Sequence, residues 1–300
     1  MAEIHILDLQ FQGLSQAIAS YLVRGPGGWA LVEAGPASTW QELSAALGRF
    51  GLQARDIPDV LVSHIHLDHA GAAGWLAREG ARIYVHEKGA PHLIDPSRLI
   101  ASASRIYGDR MQKLWGTILP VPEEQVVPLC NGQNIEVGGL VFEALDTPGH
   151  ADHHMAFLLS NVAFTGDVGG VRLPGTGYLS VPAPPPEFRA EKWLESVARL
   201  KKLGLKKIYP THFGVFDDCA YHFEELERLV QDCSDRVRGE LEAGVPRDDL
   251  VLRYREREWQ RAREAGLDEQ QFLTYETANP LFMSVDGITR YWHKKWEARV

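Results

Sequence analysis

Residues Val62 to Gly71 read VSHIHLDHAG, and no other stretch constrains this chain as strongly. Within six positions it sets His64, His66, Asp68 and His69, four side chains able to ligate a divalent cation. On a helix, His64 and His66 would point about 200° apart and could not share an ion. In extended backbone, residues 64, 66 and 68 lie on one side. The preceding DVLV is a short apolar strand, and open α/β sheets place ligand sites just beyond the carboxyl ends of their strands. The motif therefore requires a sheet whose strand ends meet at a metal site, with Gly71 as the tight turn from which the next helix starts.

One ion needs at least three protein ligands, and a catalytic pair needs about six or seven. The remaining candidates occur in like settings. LDTPGH puts His150 after a strand and a Pro-Gly turn, AFTGD ends a strand at Asp167, and IYPTH ends another at His212. The rest of the chain fits such a frame. EIHILDL, IASYLV, WALVEA, DVLVSH and ARIYVHE read as strands alternating with helical stretches, which predicts an α/β fold. GPGG (Gly25–Gly28) precedes a strand rather than a helix, so it is a hairpin turn and not a phosphate cradle. Residues 88–118 form a helical insert, followed by the strands VVPLC, QNIEV, LVFEAL, MAFLL and VAFTG. The Pro- and Gly-rich segment Leu173–Phe188 is expected to be a loop or lid rather than core. From about Asp217 the pattern is helical and charged. The predicted organisation is a catalytic domain over 1–215 and a mostly helical extension over 216–300.

Composition excludes several classes. A chain of 300 residues that is 45% hydrophobic and 24% charged is an ordinary globular protein with a sizeable core. Its formal charge of −9 argues against a nucleic-acid partner, and the one dense basic run, Lys201–Lys207, ends a helix where cations suit the dipole. No apolar stretch approaches membrane-spanning length and no apolar N-terminal leader follows a basic segment, so the expectation is a cytoplasmic protein without a membrane partner. Cys130, Cys219 and Cys233 are odd in number and widely spaced, which argues against disulfides or a cysteine-only zinc site.

Taken together, H-x-H-x-D-H, a lone His after a TPGH turn, a GD and a final His, at intervals of 86, 17 and 45 residues, resemble the signature of the metallo-β-lactamase-fold superfamily. The resemblance covers roughly residues 1–215 and implies an αββα sandwich. It implies that His64, His66 and His150 hold one ion, that Asp68, His69 and His212 hold a second, and that Asp167 bridges both. One departure is Glu33 in LVEAGP, where the family usually has Asp; the longer carboxylate is expected to support the ligand loops by hydrogen bonding. HLDHAG and TPGH look most like the glyoxalase II and lactonase-type branches, and TANPLFMSVDGITRYW resembles their helical appendages. No glutathione-contacting motif maps onto the chain. A flavodiiron reductase is disfavoured by His66 and by the lack of a flavodoxin-like domain. Exported β-lactamases are disfavoured by the missing leader.

The expected activity is hydrolysis of a small ester, thioester or lactone by a metal-bound hydroxide, with a phosphodiesterase or nuclease of the same fold as the alternative. Five neutral histidines and two carboxylates around two divalent ions leave a formal +2, which suits an anionic or carbonyl-bearing small molecule. The donor set suits zinc first, and iron or manganese also accept it. Asp68 is expected to orient the nucleophile and pass its proton to the leaving group. Four residues have open roles. His153 and His154 read more readily as supports than as ligands, Tyr178 as packing or a carbonyl donor, and Arg172 as a surface ion pair or an anion contact. In the insert, Arg105, Tyr107 and Trp115 read as core or as pocket wall. The insert and the C-terminal helices are the natural surfaces for a homodimer contact.

Overall fold

The structure is a computed structural model and describes residues 2–298. Its first sheet runs in the order β1 (Glu3–Asp8), β2 (Ala19–Gly25), β3 (Gly28–Val32), β4 (Asp59–Leu61), β5 (Arg82–His86), β6 (Val126–Leu129). The pairing is antiparallel through β3 and parallel from β3 to β6. GPGG closes the β2–β3 hairpin, with Gly25 opposite Gly28. The second sheet is built from β7 (Gln133–Val137), β8 (Leu140–Asp146), β9 (Met155–Leu159), β10 (Val162–Phe164) and β11 (Lys207–Tyr209), ordered β11-β10-β9-β8-β7.

Strand periodicity explains how the layers stack. Alternate residues leave opposite faces of a strand. Tyr21, Val23, Val32, Leu61 and Tyr84 join Phe142, Phe157 and Phe164 between the sheets. Their neighbours Leu22, Leu31, Val60, Ile83 and Val85 face outward into a second core. Helices α1 (Trp40–Gly48) and α3 (Ala73–Arg78) cover that outer core with Leu43, Leu47 and Leu76. On the far side, α7 (Ala190–Lys202) lays Trp193, Val197 and Leu200 on the second sheet at helical spacing, keeping its lysines outside. The result is an αββα sandwich with C-terminal helices.

The motif helix differs from the sequence expectation. The chain leaves β4 and already enters a short helix, α2 (Leu67–Ala70), with His66 at its N-cap. Asp68 and His69 thus sit on a helical turn, and the extended geometry that would aim 64, 66 and 68 one way stops at His66. Gly71 lies between α2 and α3, where a Cβ would meet Leu67 O at 2.3 Å and Ala37 N at 2.9 Å. Its role is close backbone approach rather than the start of a helix.

The insert folds as α4 (Ala90–Ile94), α5 (Ser97–Tyr107) and α6 (Met111–Trp115). The C-terminal part is α8 (Cys219–Glu242), α9 (Arg247–Glu264), α10 (Glu269–Ala278) and α11 (Leu281–Glu297). Among the described residues no helix is long and apolar enough to cross a membrane. The segment 173–188 is the expected irregular loop, with Pro174, Gly175, Gly177 and Pro186 exposed, but contrary to expectation it is not excluded from the core. Leu173, Tyr178, Leu179, Val181, Ala183 and Phe188 are all buried, because α8 to α11 pack over it and share the inter-sheet core. Pro and Gly content reports missing regular hydrogen bonding, not exposure.

Candidate metal centre

The sandwich brings all seven candidate ligands to one edge, in two groups. Nε2 of His64, Nδ1 of His66 and Nε2 of His150 form a triangle with sides of 2.9, 2.9 and 3.1 Å. The second group is Asp68, His69, Asp167 and His212. Here His69 Nε2 lies 3.1 Å from Asp167 Oδ1, and His212 Nε2 lies 3.3 Å from the same oxygen and 3.4 Å from Asp68 Oδ2. Asp167 faces both groups, since its Oδ2 lies 3.3 Å from His150 Nε2.

Each side chain is oriented from behind. The His150 Nδ1–H donates to Pro182 O and that of His212 to Ala17 O, both at 2.8 Å, which turns each Nε2 toward the cluster. Ser63 Oγ lies 3.0 Å from His64 Nδ1 and 3.3 Å from His69 Nδ1. Glu33 acts as expected. It accepts hydrogen bonds from Ser63 N and Thr211 Oγ1, and its Oε1 lies 3.2 Å from His69 Nδ1, so one carboxylate ties together the loops after β4 and β11.

These atoms fit divalent cations on their own geometry. A neutral ring nitrogen is either a donor or an acceptor. In a triangle of three such nitrogens at least one side must pair like with like, so the contacts cannot all be hydrogen bonds; a central cation accepts all three lone pairs. In the second group His69 Nε2, His212 Nε2 and Asp167 Oδ1 are buried without a hydrogen-bond partner, an arrangement that needs an explanation such as an ion. The residues present thus form two clusters, each with the donor chemistry to hold a divalent cation.

Electrostatics separate the two groups. Burial, reinforced by the adjacent imidazoles, holds His64 and His66 well below the usual histidine range, and burial also lowers His150. For His212, burial is outweighed by Asp167 and Asp68, which raise it to about 10; for His69 the same carboxylates and Glu33 raise it well above its ordinary value. Burial pushes Asp68 upward, but His69 and His212 prevail and hold its carboxyl at about 2.

The supporting residues settle the open roles. His154 is buried and neutral, its Nε2 accepting from the backbone N–H groups of Asp167 (3.1 Å) and Val168 (3.4 Å) and its Nδ1 lying 2.8 Å from Thr147 Oγ1. It positions the Asp167 turn. His153 Nε2 lies 3.5 Å from Glu187. Arg172 forms a two-point pair with Asp218, both bonds 2.8 Å, over the Phe216 ring, and so is not free to meet an anion. Tyr178 is buried and donates to Glu258 Oε2 at 2.9 Å, so it packs and does not face the cavity. Tyr107 and Trp115 do line the cavity, whereas Arg105 is exposed elsewhere. Sequence reading passed over His222, whose Nε2–H donates to Gly169 O at 2.7 Å and braces the same turn from α8.

Comparison with known proteins agrees with this geometry. Residues 16–212 match the profile of the Metallo-beta-lactamase superfamily. The chain is 27% identical over 160 residues to the metallo-beta-lactamase fold-containing protein ST1585 of Sulfurisphaera tokodaii, covering 52% of this chain and 60% of that protein. It is 27% identical over 232 residues to the atrochrysone carboxyl ACP thioesterase of Aspergillus fumigatus, covering 76% of this chain and 58% of that one. It thus spans little more than half the length of these curated relatives. Among solved structures, the metallo-beta-lactamase family protein TTHA1429 from Thermus thermophilus superposes with a TM-score of 0.71 at 23% identity, over 98% of this chain and 94% of the other. With more than half of its length matched and its strands, turns and histidines in the family's order, the chain belongs to the metallo-β-lactamase superfamily.

Proposed function

We propose that the protein is a dinuclear metal-dependent hydrolase of a small carbonyl ester, thioester or lactone. The observation that carries this reading is the pair of candidate ligand groups beside a cavity, with Asp167 of the second group 3.3 Å from His150 of the first. A thioesterase among the relatives supports it. His64, His66 and His150 would hold one cation, Asp68, His69 and His212 the other, and Asp167 both. Divalent cations there would supply Lewis acidity, making water acidic enough to ionise near neutral pH and polarising a substrate oxygen. Zinc suits the donors first, with iron or manganese acceptable.

The chain's own part is orientation and proton transfer. The backbone carbonyls of Pro182 and Ala17 fix the tautomers of His150 and His212, and Glu33 and Ser63 hold His69 and His64. Asp68 borders the cavity as a carboxylate and is placed to take the proton of the attacking water. Water adds to the acyl carbon, the C–O or C–S bond breaks, and the leaving alkoxide or thiolate receives the proton that Asp68 took. The phosphodiesterase reading is less well supported, because no Lys or Arg lines the cavity among the described residues. The cysteines Cys130, Cys219 and Cys233 are unpaired, which suits action in the reducing cytoplasm.

Elemental analysis of protein reconstituted with zinc should find about two ions per chain. Turnover is expected with p-nitrophenyl esters, S-lactoylglutathione or acyl lactones, and not with bis-p-nitrophenyl phosphate. Replacing Asp68→Ala and His69→Ala together should remove about one ion and lower kcat/KM on the order of a thousandfold. Absence of bound metal after reconstitution sinks the reading.

A further inference from the structure

The cavity above the two ligand groups encloses about 180 Å³. Its floor is His66, Asp68, His150 and Asp167, but its walls come from outside the first and second sheets. Leu99, Ala103 and Tyr107 of α5, Trp115 of α6, Pro184 of the buried Pro-rich segment and Met283 of α11 form those walls. The aromatic side is rigid. Phe11 stacks on Trp115 at 5.5 Å, and Tyr107 meets Trp115 edge to face at 5.2 Å. The opposite side is fixed by Gly287, where a Cβ would lie 2.0 Å from Ala183 O, so α11 sits directly on the Pro-rich segment.

Three polar side chains at the walls are turned to other work, while Gln12, Ser102 and the partnerless Trp115 Nε1–H are the neutral polar groups that remain. The Tyr107 hydroxyl donates to Met283 Sδ at 3.2 Å. The Asn279 amide donates to Ser180 Oγ and Val181 O, and the Thr277 hydroxyl donates to Leu273 O. No Lys or Arg lines the space among the described residues. A charged tail would lose its hydration there and find no partner, whereas an apolar chain would gain roughly fourfold in affinity for each methylene it buries.

The geometry points to an uncharged, apolar acyl group as the part of the substrate this chamber takes, with the acyl carbonyl at the His/Asp floor. This rests on the hydrolase reading above and names the substrate class of that same site. The insert and the C-terminal helices, rather than the ligand loops, set the choice.

The test uses full-length, zinc-loaded protein and two readouts. Calorimetry gives the affinity for acetate, butyrate and octanoate as product carboxylates, and initial rates give kcat/KM for the matching p-nitrophenyl esters. Affinity should rise at least tenfold from butyrate to octanoate, and kcat/KM should follow. Ala103→Trp, which fills the chamber, should abolish the octanoate gain, so that octanoate binds no more tightly than butyrate. Leu99→Lys, on the half-buried face of α5 and so tolerant of folding, should weaken octanoate at least fivefold. Equal affinities for the three acids overturn the chamber proposal even if every ester is hydrolysed. Rising affinity without turnover of any ester, thioester or lactone overturns the hydrolase reading and leaves the chamber assignment standing.

Discussion

Glu33 shows how much of the site depends on one residue that ligates nothing. Its backbone is left-handed (φ 69°), a conformation that costs a non-glycine residue on the order of 1 kcal/mol. It is held there because its carboxylate meets Ser63 N, Thr211 Oγ1 and His69 Nδ1 in a buried setting. Glu33→Ala should strand three buried polar groups and cost roughly 3 kcal/mol, with lower metal occupancy. Thermal denaturation beside elemental analysis checks this, and an unchanged Tm would refute it. His222 gives a pH signature. Burial, against the opposing bond to Gly169 O, lowers it to about 4, below its ordinary 6.5. The unfolded chain binds a proton between those values and the folded one does not, so stability is lost as pH falls through that window. His222→Gln should therefore reduce the loss of stability between pH 7 and pH 5 by about 2 kcal/mol, read as a flatter Tm against pH. At this scale the clustering of the candidate ligands was legible because metal chemistry draws on few residue types at strand ends. Their supports, Pro182 O and Ala17 O, were not, because a backbone carbonyl leaves no trace in side-chain identity.

Elements were legible where burial was one-sided. The first-sheet strands alternate between two cores, and α7 carries its apolar stripe at helical spacing, so periodicity identified both. The motif helix α2 has four residues, too few to show a period, and its start was misplaced to Gly71. The Pro-rich segment misled for a different reason: its burial comes from helices more than thirty residues later, a fact of tertiary packing that local composition does not carry. Gly287 is the point where that packing is tightest. A side chain there would enter the backbone of Ala183 and Pro184, which cannot retreat as a flexible side chain would. Gly287→Val should push α11 off the segment at a cost of about 1–3 kcal/mol. Urea denaturation would register the loss; a variant as stable as the parent would show that α11 is seated elsewhere.

On the scale of the whole molecule, the sequence boundary near residue 215 marks a change of secondary structure, but the hydrophobic core crosses it. Phe223, Leu226 and Val230 of α8, Tyr275 of α10, and Val285 and Ile288 of α11 are each at most 2% exposed and belong to the same cluster as Tyr21 and Phe164. Burying side chains of this size contributes roughly 1.5–3 kcal/mol each, so six of them amount to on the order of 10 kcal/mol, comparable with the net stability of an ordinary domain. The helices also brace the site, through His222 on the Asp167 turn and through the chamber wall at Met283. A chain cut after Gly214 would keep every proposed ligand, since the last is His212, and yet expose the apolar surfaces of α7 and of segment 173–188 on which α8 to α11 pack. It should therefore collect in the insoluble fraction, or remain in solution as a dye-binding state without a cooperative unfolding transition. Expression of residues 1–214 beside the full chain, followed by calorimetry and metal analysis, decides the matter. Cooperative unfolding of the fragment within a few degrees of the parent, with two ions bound, would mean that the ligand-bearing sandwich folds alone and that the helices serve the chamber only.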